Sequence, residues 1–259
     1  MISRLPNRRR PFYNLTNWLV NVKGQACASC LETIMSTKPT RMRLGSRGQP
    51  EESRTAILQA AIREFAREGA AGARTEAIAR AAKVNKALLY YYFRDKDALY
   101  VAALEHIFRE RDAVLMPILE ENSPPGEKIL RYVGAFFDFL AGHPEQRQMV
   151  QREVFMLPQR ASVLRVVKTH MQPLFEALVR VIREGVASGV FRPVDPMQFL
   201  PSMAAVVVHY FGVAAFLKLM TNEDPLTPEK LAARRAAVLD FISAALFQPT
   251  ALPVEGESK

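Results

Sequence analysis

The sequence predicts an all-α protein: a small head of three helices containing a helix-turn-helix, followed by a larger all-helical body. Three observations carry this. From Glu51 onward, apolar residues recur at helical spacing in segment after segment, and no stretch alternates for long enough to make a strand. Two short helical segments are separated only by "KVN" (83–85), which leaves room for a tight turn and nothing else. The charge is segregated. Residues 1–50 hold nine Lys/Arg against one acid, Glu32, whereas residues 101–259 hold 17 basic and 18 acidic residues. The formal net charge of +9 therefore sits at the front, which suggests an anionic partner there, nucleic acid or membrane.

Residues 1–50 are polar, basic and without sustained periodicity, and "STKPTRMRLGSRGQP" is rich in Pro, Gly and Ser, so a disordered extension is expected. Its two cysteines form "CASC" (Cys27, Cys30). Zinc needs two further ligands and none lies near in sequence, so the pair reads as incidental and no metal is expected. Arg8, Arg9 and Arg10 are followed by a stretch broken by three asparagines rather than a clean apolar region, so no secretory signal is expected. No apolar run reaches the length of a membrane span. The expected location is cytoplasmic, associated with the nucleoid. The expected division is 1–50 extension, 51–97 head, 98–248 body and 249–259 tail.

In "ESRTAILQAAIREFAREG", Ile57, Leu58, Ala61, Ile62 and Phe65 form one apolar stripe, and Gly69 is the expected C-cap. "TEAIARAA" is a short helix with Thr75 as its expected N-cap and Ile78 and Ala82 facing inward. The turn that follows has Lys83 where a glycine is usual. The next helix runs from about Lys86 to Phe93. Its period divides it: Val84, Leu89 and Phe93 face Phe65 and Ile78, while Lys86, Ala87, Tyr90 and Tyr91 face out, with Tyr92 near the edge. Tyrosines beside lysines suit DNA, because a phenol can donate to phosphate oxygen and its ring can touch a thymine methyl. Lys86 can reach a base edge or phosphate, and Lys96 opens the next helix, where N–H groups and an ammonium can hold a phosphate together. A buried aromatic cluster ringed by solvated lysines is the plainer alternative.

Over residues 54–100 the chain resembles the DNA-binding domain of the TetR/AcrR family of bacterial transcriptional regulators. The match lies in AA-x-x-x-F-x-x-x-G of the first helix, I-A-x-x-A before the turn and L-Y-x-Y-F-x-x-K-x-x-L after it. The resemblance implies a three-helix DNA-binding head on a helical ligand-binding and dimerisation domain. By that match, Thr75, Tyr90, Tyr92 and Lys96 fall where phosphate is commonly contacted, and Lys86, Ala87 and Tyr91 where bases are faced. Leu88 replaces a frequent threonine and Ala87 a frequent glycine. Glu76 falls where some relatives read a base, but a carboxylate can accept only from cytosine N4 and repels phosphate, so it stays outside the expected site.

The body continues from Lys96 as a long helix to about Leu119, breaks at Pro124 and Pro125, and resumes as amphipathic helices divided near His143 and Pro144. A longer helix containing Pro173 follows, then the turn "GVFRPVDP". Residues 197–220 read as one helix apolar nearly all round, and "TPEKLAARRAAVLDFISAALF" closes the fold. Such a helix needs more cover than one small bundle supplies, so a homodimer through the last two helices is expected, with the heads on adjacent major grooves of a near-palindromic operator. Phe137, Arg152, Phe155, His170, Met171, His209 and Tyr210 are the expected lining of an effector pocket, each with ordinary core packing as its competing reading.

No G-x-S-x-G, P-loop, H-E-x-x-H or Gly-rich dinucleotide turn is present, and the four histidines are scattered, so neither an enzyme nor a cofactor is expected. The expectation is a ligand-responsive DNA-binding regulator, a repressor released by a small apolar or aromatic effector. The alternative is a helical lipid or small-molecule carrier held to anionic membrane by its basic front. The basic arm (Lys38, Arg41, Arg43, Arg47) offers further phosphate or minor-groove contacts, a solvated tail being the other reading.

Overall fold

The computed structural model describes residues 50–156 and 160–248, the side chains of 153–156 excepted. The basic arm, the two cysteines, the C-terminal tail and the Phe155 side chain lie outside the described residues. The helices are α1 (Pro50–Gly72), α2 (Thr75–Ala81), α3 (Lys86–Tyr92), α4 (Lys96–Glu120), α5 (Pro125–Gly142), α6 (Pro144–Met156), α7 (Ala161–Ala187), α8 (Pro196–Gly212), α9 (Ala214–Thr221) and α10 (Pro228–Leu246). Among the described residues there is no strand, only an isolated bridge between Phe191 and Phe247. The all-α class and the helix-turn-helix (α2, turn, α3) are as the sequence predicts.

Local chemistry sets the head. The stripe Ile57, Leu58, Ala61, Ile62 and Phe65 is buried, and it shares one core with Ile78, Leu89 and Phe93. Gly69 (φ 73, ψ 171) interrupts α1 in a region open essentially only to glycine. Lys83, in the turn, adopts φ 57, the left-handed conformation that a glycine would take without strain. The backbone closes around it through Lys83 N–H to Arg80 O (3.1 Å) and Val84 N–H to Ala79 O (3.0 Å). Asn85 caps α3 by accepting from Leu88 N–H (2.7 Å), and Asp95 caps α4 by accepting from Ala98 N–H (2.7 Å). One expectation is corrected. Thr75 is not the N-cap of α2. Arg74 holds that position without a side-chain cap, and Thr75 lies one residue inside, buried.

The head's core takes in more than its own three helices. Leu99, Ala103, Leu104 and Ile107 of α4, Met149 of α6 and Val163 of α7 all belong to it. A second core, centred on α5, α7, α8 and α10, fills the body, and α4 feeds it through Leu115 and Leu119. The helix expected over 197–220 is two helices: α8 ends at Gly212, and α9 leaves it at 56°. Both keep an outward apolar side, with Met197, Phe216, Leu219 and Met220 exposed, as is Phe241 on α10. No single described helix is long and apolar enough to cross a membrane.

Candidate nucleic-acid interface

The third helix, α3, has two faces. Leu89 and Phe93 are buried; Tyr91 is 80% exposed and Tyr90 41%, with Lys86 and Ala87 also exposed and Tyr92 half-buried. The Tyr91 and Tyr92 rings meet edge to face at 5.3 Å. Tyr91 is thus the most exposed aromatic of the head, touched within its own helix by the edge-to-face ring of Tyr92.

The neighbours of this face differ from residue to residue. The Thr75 and Tyr90 hydroxyls share a hydrogen bond at 3.3 Å, so Thr75, although buried, orients the phenol of Tyr90. Lys86 is paired with Glu76 across the α2–α3 angle, and its ammonium lies 5.7 Å from the Tyr90 ring centre. The hydrogen bond from Lys86 holds the Glu76 carboxyl below its ordinary range, and the same bond raises the Lys86 ammonium. Lys96 does not rest over the start of its own helix. Its ammonium donates to Ala71 O (2.9 Å) and Ala73 O (3.4 Å), tying α4 to the end of α1 and the link before α2. Lys86, Ala87, Tyr90 and Tyr91 are thus exposed along α3, Tyr92 is half-buried beside Tyr91, Lys96 stands in the first turn of α4, and buried Thr75 supports Tyr90 from beneath. Glu76 is the residue that sequence reasoning set aside. Its signal was present, an acid at the second position of α2 opposite the basic start of α3, but only the helix crossing brings the two together.

Of the seven residues expected to line an effector pocket, the six whose side chains are described do not form one site. Phe137 is core, tilted against Phe211 at 5.2 Å. Arg152 faces the head, donating to Phe65 O (3.2 Å). His209, expected to point inward, is exposed, because α8 is apolar on both sides and its period does not tell them apart. Tyr210 is half-buried and donates to Pro225 O (2.7 Å). Only His170 and Met171 come together, around Arg111 and Asp112 of α4, which sequence reasoning passed over. His170 Nδ1 lies 2.6 Å from Asp112 Oδ2, and Arg111 Nη1 lies 2.9 Å from Met171 Sδ. The available signal was a charged residue in core register: Arg111 stands four residues after Ile107 and four before Leu115, both buried. Two open grooves, at α7–α8 and at α8–α10, include none of these six. Among the described residues no cluster of His, Cys, Asp and Glu is arranged to hold a metal.

Comparison with known proteins matches two stretches of the chain. Residues 57–103 match the model of "Bacterial regulatory proteins, tetR family", and residues 125–242 match "Tetracyclin repressor-like, C-terminal domain". The chain is 28% identical over 158 residues to the HTH-type transcriptional repressor NicS of Pseudomonas putida, covering 61% of this chain and 73% of NicS. It is 29% identical over 167 residues to the HTH-type transcriptional regulator RutR of Escherichia coli, covering 64% and 77%. In fold it is similar to the ketosteroid transcriptional regulator KstR2 of Mycobacterium tuberculosis (TM-score 0.58, 19% identity, 80% and 97% covered). It is also similar to the putative transcriptional regulator SCO4942 of Streptomyces coelicolor (TM-score 0.58, 24% identity, 75% and 98% covered). With a helix-turn-helix whose outer face is tyrosine and lysine, and with residues 57–103 and 125–242 both matched, the protein belongs to the TetR family of bacterial DNA-binding transcriptional regulators.

Proposed function

We propose that the protein is a homodimeric, effector-controlled repressor, acting in the cytoplasm on a near-palindromic operator. The observation that carries the reading is α4. One helix of 25 residues starts at the proposed DNA face, where Lys96 donates to the Ala71 and Ala73 carbonyls, and enters the core of the body through Leu115 and Leu119. A change of packing around its far half moves the head, and an effector that prefers the moved state shifts the population by its difference in affinity. The exposed apolar side chains on α8, α9 and α10 support assembly through those helices, since large side chains of this kind seldom cluster on a free surface. By its name, the relative NicS is a repressor, which favours repression over activation here.

Thr75, Lys86, Ala87, Tyr90, Tyr91, Tyr92 and Lys96 form the proposed DNA face. A lipid carrier on anionic membrane is the less favoured reading, because the exposed side chains of α3 are Lys86, Ala87, Tyr90 and Tyr91, with no exposed large aliphatic among them. The test is selection from a random DNA pool with the purified protein. The expected product is two inverted half-sites about 10 bp apart or a multiple of that. Binding should weaken steeply with salt, and Tyr90→Phe combined with Lys96→Ala should weaken it further. A single unpaired site, or no enriched sequence at all, refutes the proposal.

A further inference from the structure

We propose that the effector carries a carboxylate, and that Arg111 on α4 is the group that anchors it; this rests on the effector-controlled reading above. Arg111 is 6% exposed. A guanidinium is always charged and has five N–H donors, and a buried charge needs good acceptors on every side. The side edge of Arg111 has one: Nε and Nη2 both donate to Asp112 Oδ1 (3.0 and 2.6 Å). The end-on edge does not. There, Nη1 faces the thioether sulfur of Met171 at 2.9 Å, and Nη2 makes only a long contact of 3.4 Å to His170 O. Thioether sulfur is a weak acceptor. The end-on edge, Nη1 with Nη2, is one that a carboxylate takes with both oxygens.

The surroundings suit a flat or apolar body attached to that carboxylate. Phe108 carries the Arg111 guanidinium at 4.7 Å and the stacked His170 ring at 5.5 Å. Tyr132 is buried near Arg111 and Asp112, and its phenol is pushed up to about 12 by burial, so it stays neutral. Asp112 remains on the far edge of the cation, its other oxygen held by His170 Nδ1. The cation would thus lie between two carboxylates. The residue to be displaced is a methionine, whose unbranched chain changes rotamer readily.

A purely structural pair would also join α4 to α7, but the backbone argues for movement. Both helices carry an internal proline close to the cluster, Pro117 in α4 and Pro173 in α7. Each proline removes the N–H that would bond the carbonyl four residues back, at Ala113 and Thr169. The two helices are therefore least tightly bonded where the cluster joins them. A carboxylate that displaces Met171 from Arg111 would act on that seam, and α4 leads from it to the DNA face.

The test uses the full-length protein. Benzoate, phenylacetate and hexanoate are each compared with the corresponding primary amide, in wild type, Arg111→Met and Arg111→Lys. The readouts are the thermal midpoint, relative to each variant without ligand, and release of the selected duplex. At least one acid should raise the wild-type Tm by about 5–10 °C at ~100 times its Kd, with its amide inert. That gain should vanish in Arg111→Met. Arg111→Lys keeps the buried charge but loses the planar fork, and should bind the acid roughly tenfold more weakly. If acid and amide act alike, if no acid raises Tm, or if the gain survives in Arg111→Met, the anchor is wrong. A neutral compound that releases DNA from wild type and Arg111→Met alike would remove the carboxylate anchor and leave effector control standing. Failure to select any DNA would instead strike the regulator reading, while the acid-against-amide comparison still decides the anchor.

Discussion

Replacing Leu89 and Tyr91 one at a time separates the two faces of α3. The two lie on one seven-residue helix, two positions apart, yet Leu89 has no exposed surface and Tyr91 is 80% exposed. Leu89→Ala removes three buried carbons from a core that includes Phe65, Ile78 and Phe93. A buried leucine truncated to alanine costs about 2–5 kcal/mol, and the helix is too short to be held by its own hydrogen bonds. For a chain of this size each kcal/mol moves Tm by about 2–4 °C, so a fall of roughly 5–15 °C is expected. Tyr91→Ala should leave stability within about 0.5 kcal/mol, as exposed substitutions generally do. Its effect should fall on DNA: loss of a ring proposed to face bases should weaken a selected duplex by about 1–3 kcal/mol, roughly 5- to 150-fold in Kd. Scanning calorimetry and fluorescence anisotropy measure the two quantities. If Tyr91→Ala lowers Tm as far as Leu89→Ala does, or leaves Kd unchanged, the division of the helix is wrong.

Other outcomes follow from single residues. Lys83→Gly should stabilise the protein by about 0.5–1 kcal/mol, because relief of the left-handed φ outweighs the greater freedom of glycine in the unfolded chain; an unchanged urea midpoint would count against this. Gly185→Ala should destabilise by at least about 2–3 kcal/mol, since a Cβ there would lie 2.0 Å from the ring of Phe191, which is itself buried; a normal midpoint would mean that the α7–α8 turn yields. The Tyr132 phenol, raised by burial to about 12, holds its proton more tightly in the folded state than in the unfolded one. The stability this brings is complete below about pH 10 and is lost as pH rises through 12, up to about 2–3 kcal/mol, so Tyr132→Phe should flatten the alkaline fall in Tm relative to wild type.

Which side of a short helix faces inward is a local matter, and the sequence carried it. Leu89 and Phe93 are four residues apart, Tyr91 lies between them, and a period of 3.6 puts the first two in the core and the third outside, whatever the rest of the chain does. The turn at Lys83 and the caps at Asn85 and Asp95 are equally local, since each is settled within a few residues. The cap of α2 was misplaced by one residue for a tertiary reason. The Thr75 hydroxyl is drawn to Tyr90, 15 positions on, and so does not cap its own helix. The same holds for Lys86 with Glu76 and for Lys96 with the Ala71 carbonyl, 25 positions apart. In the body, periodicity worked where a helix has one apolar side and failed where it has two. On α8 it could not send His209 outward, nor foresee the bend after Gly212. Arg111 and Asp112 meet His170 and Met171 across 58 to 60 residues, and their side chains look like any solvated pair until α7 is laid against α4. The sequence by itself determined the all-helical class, the helix-turn-helix and the outer face of α3, because these follow from spacings within a few turns. Only the tertiary structure decided which polar groups meet, because a charge finds its partner through space, and helix spacing says nothing about a partner on another helix.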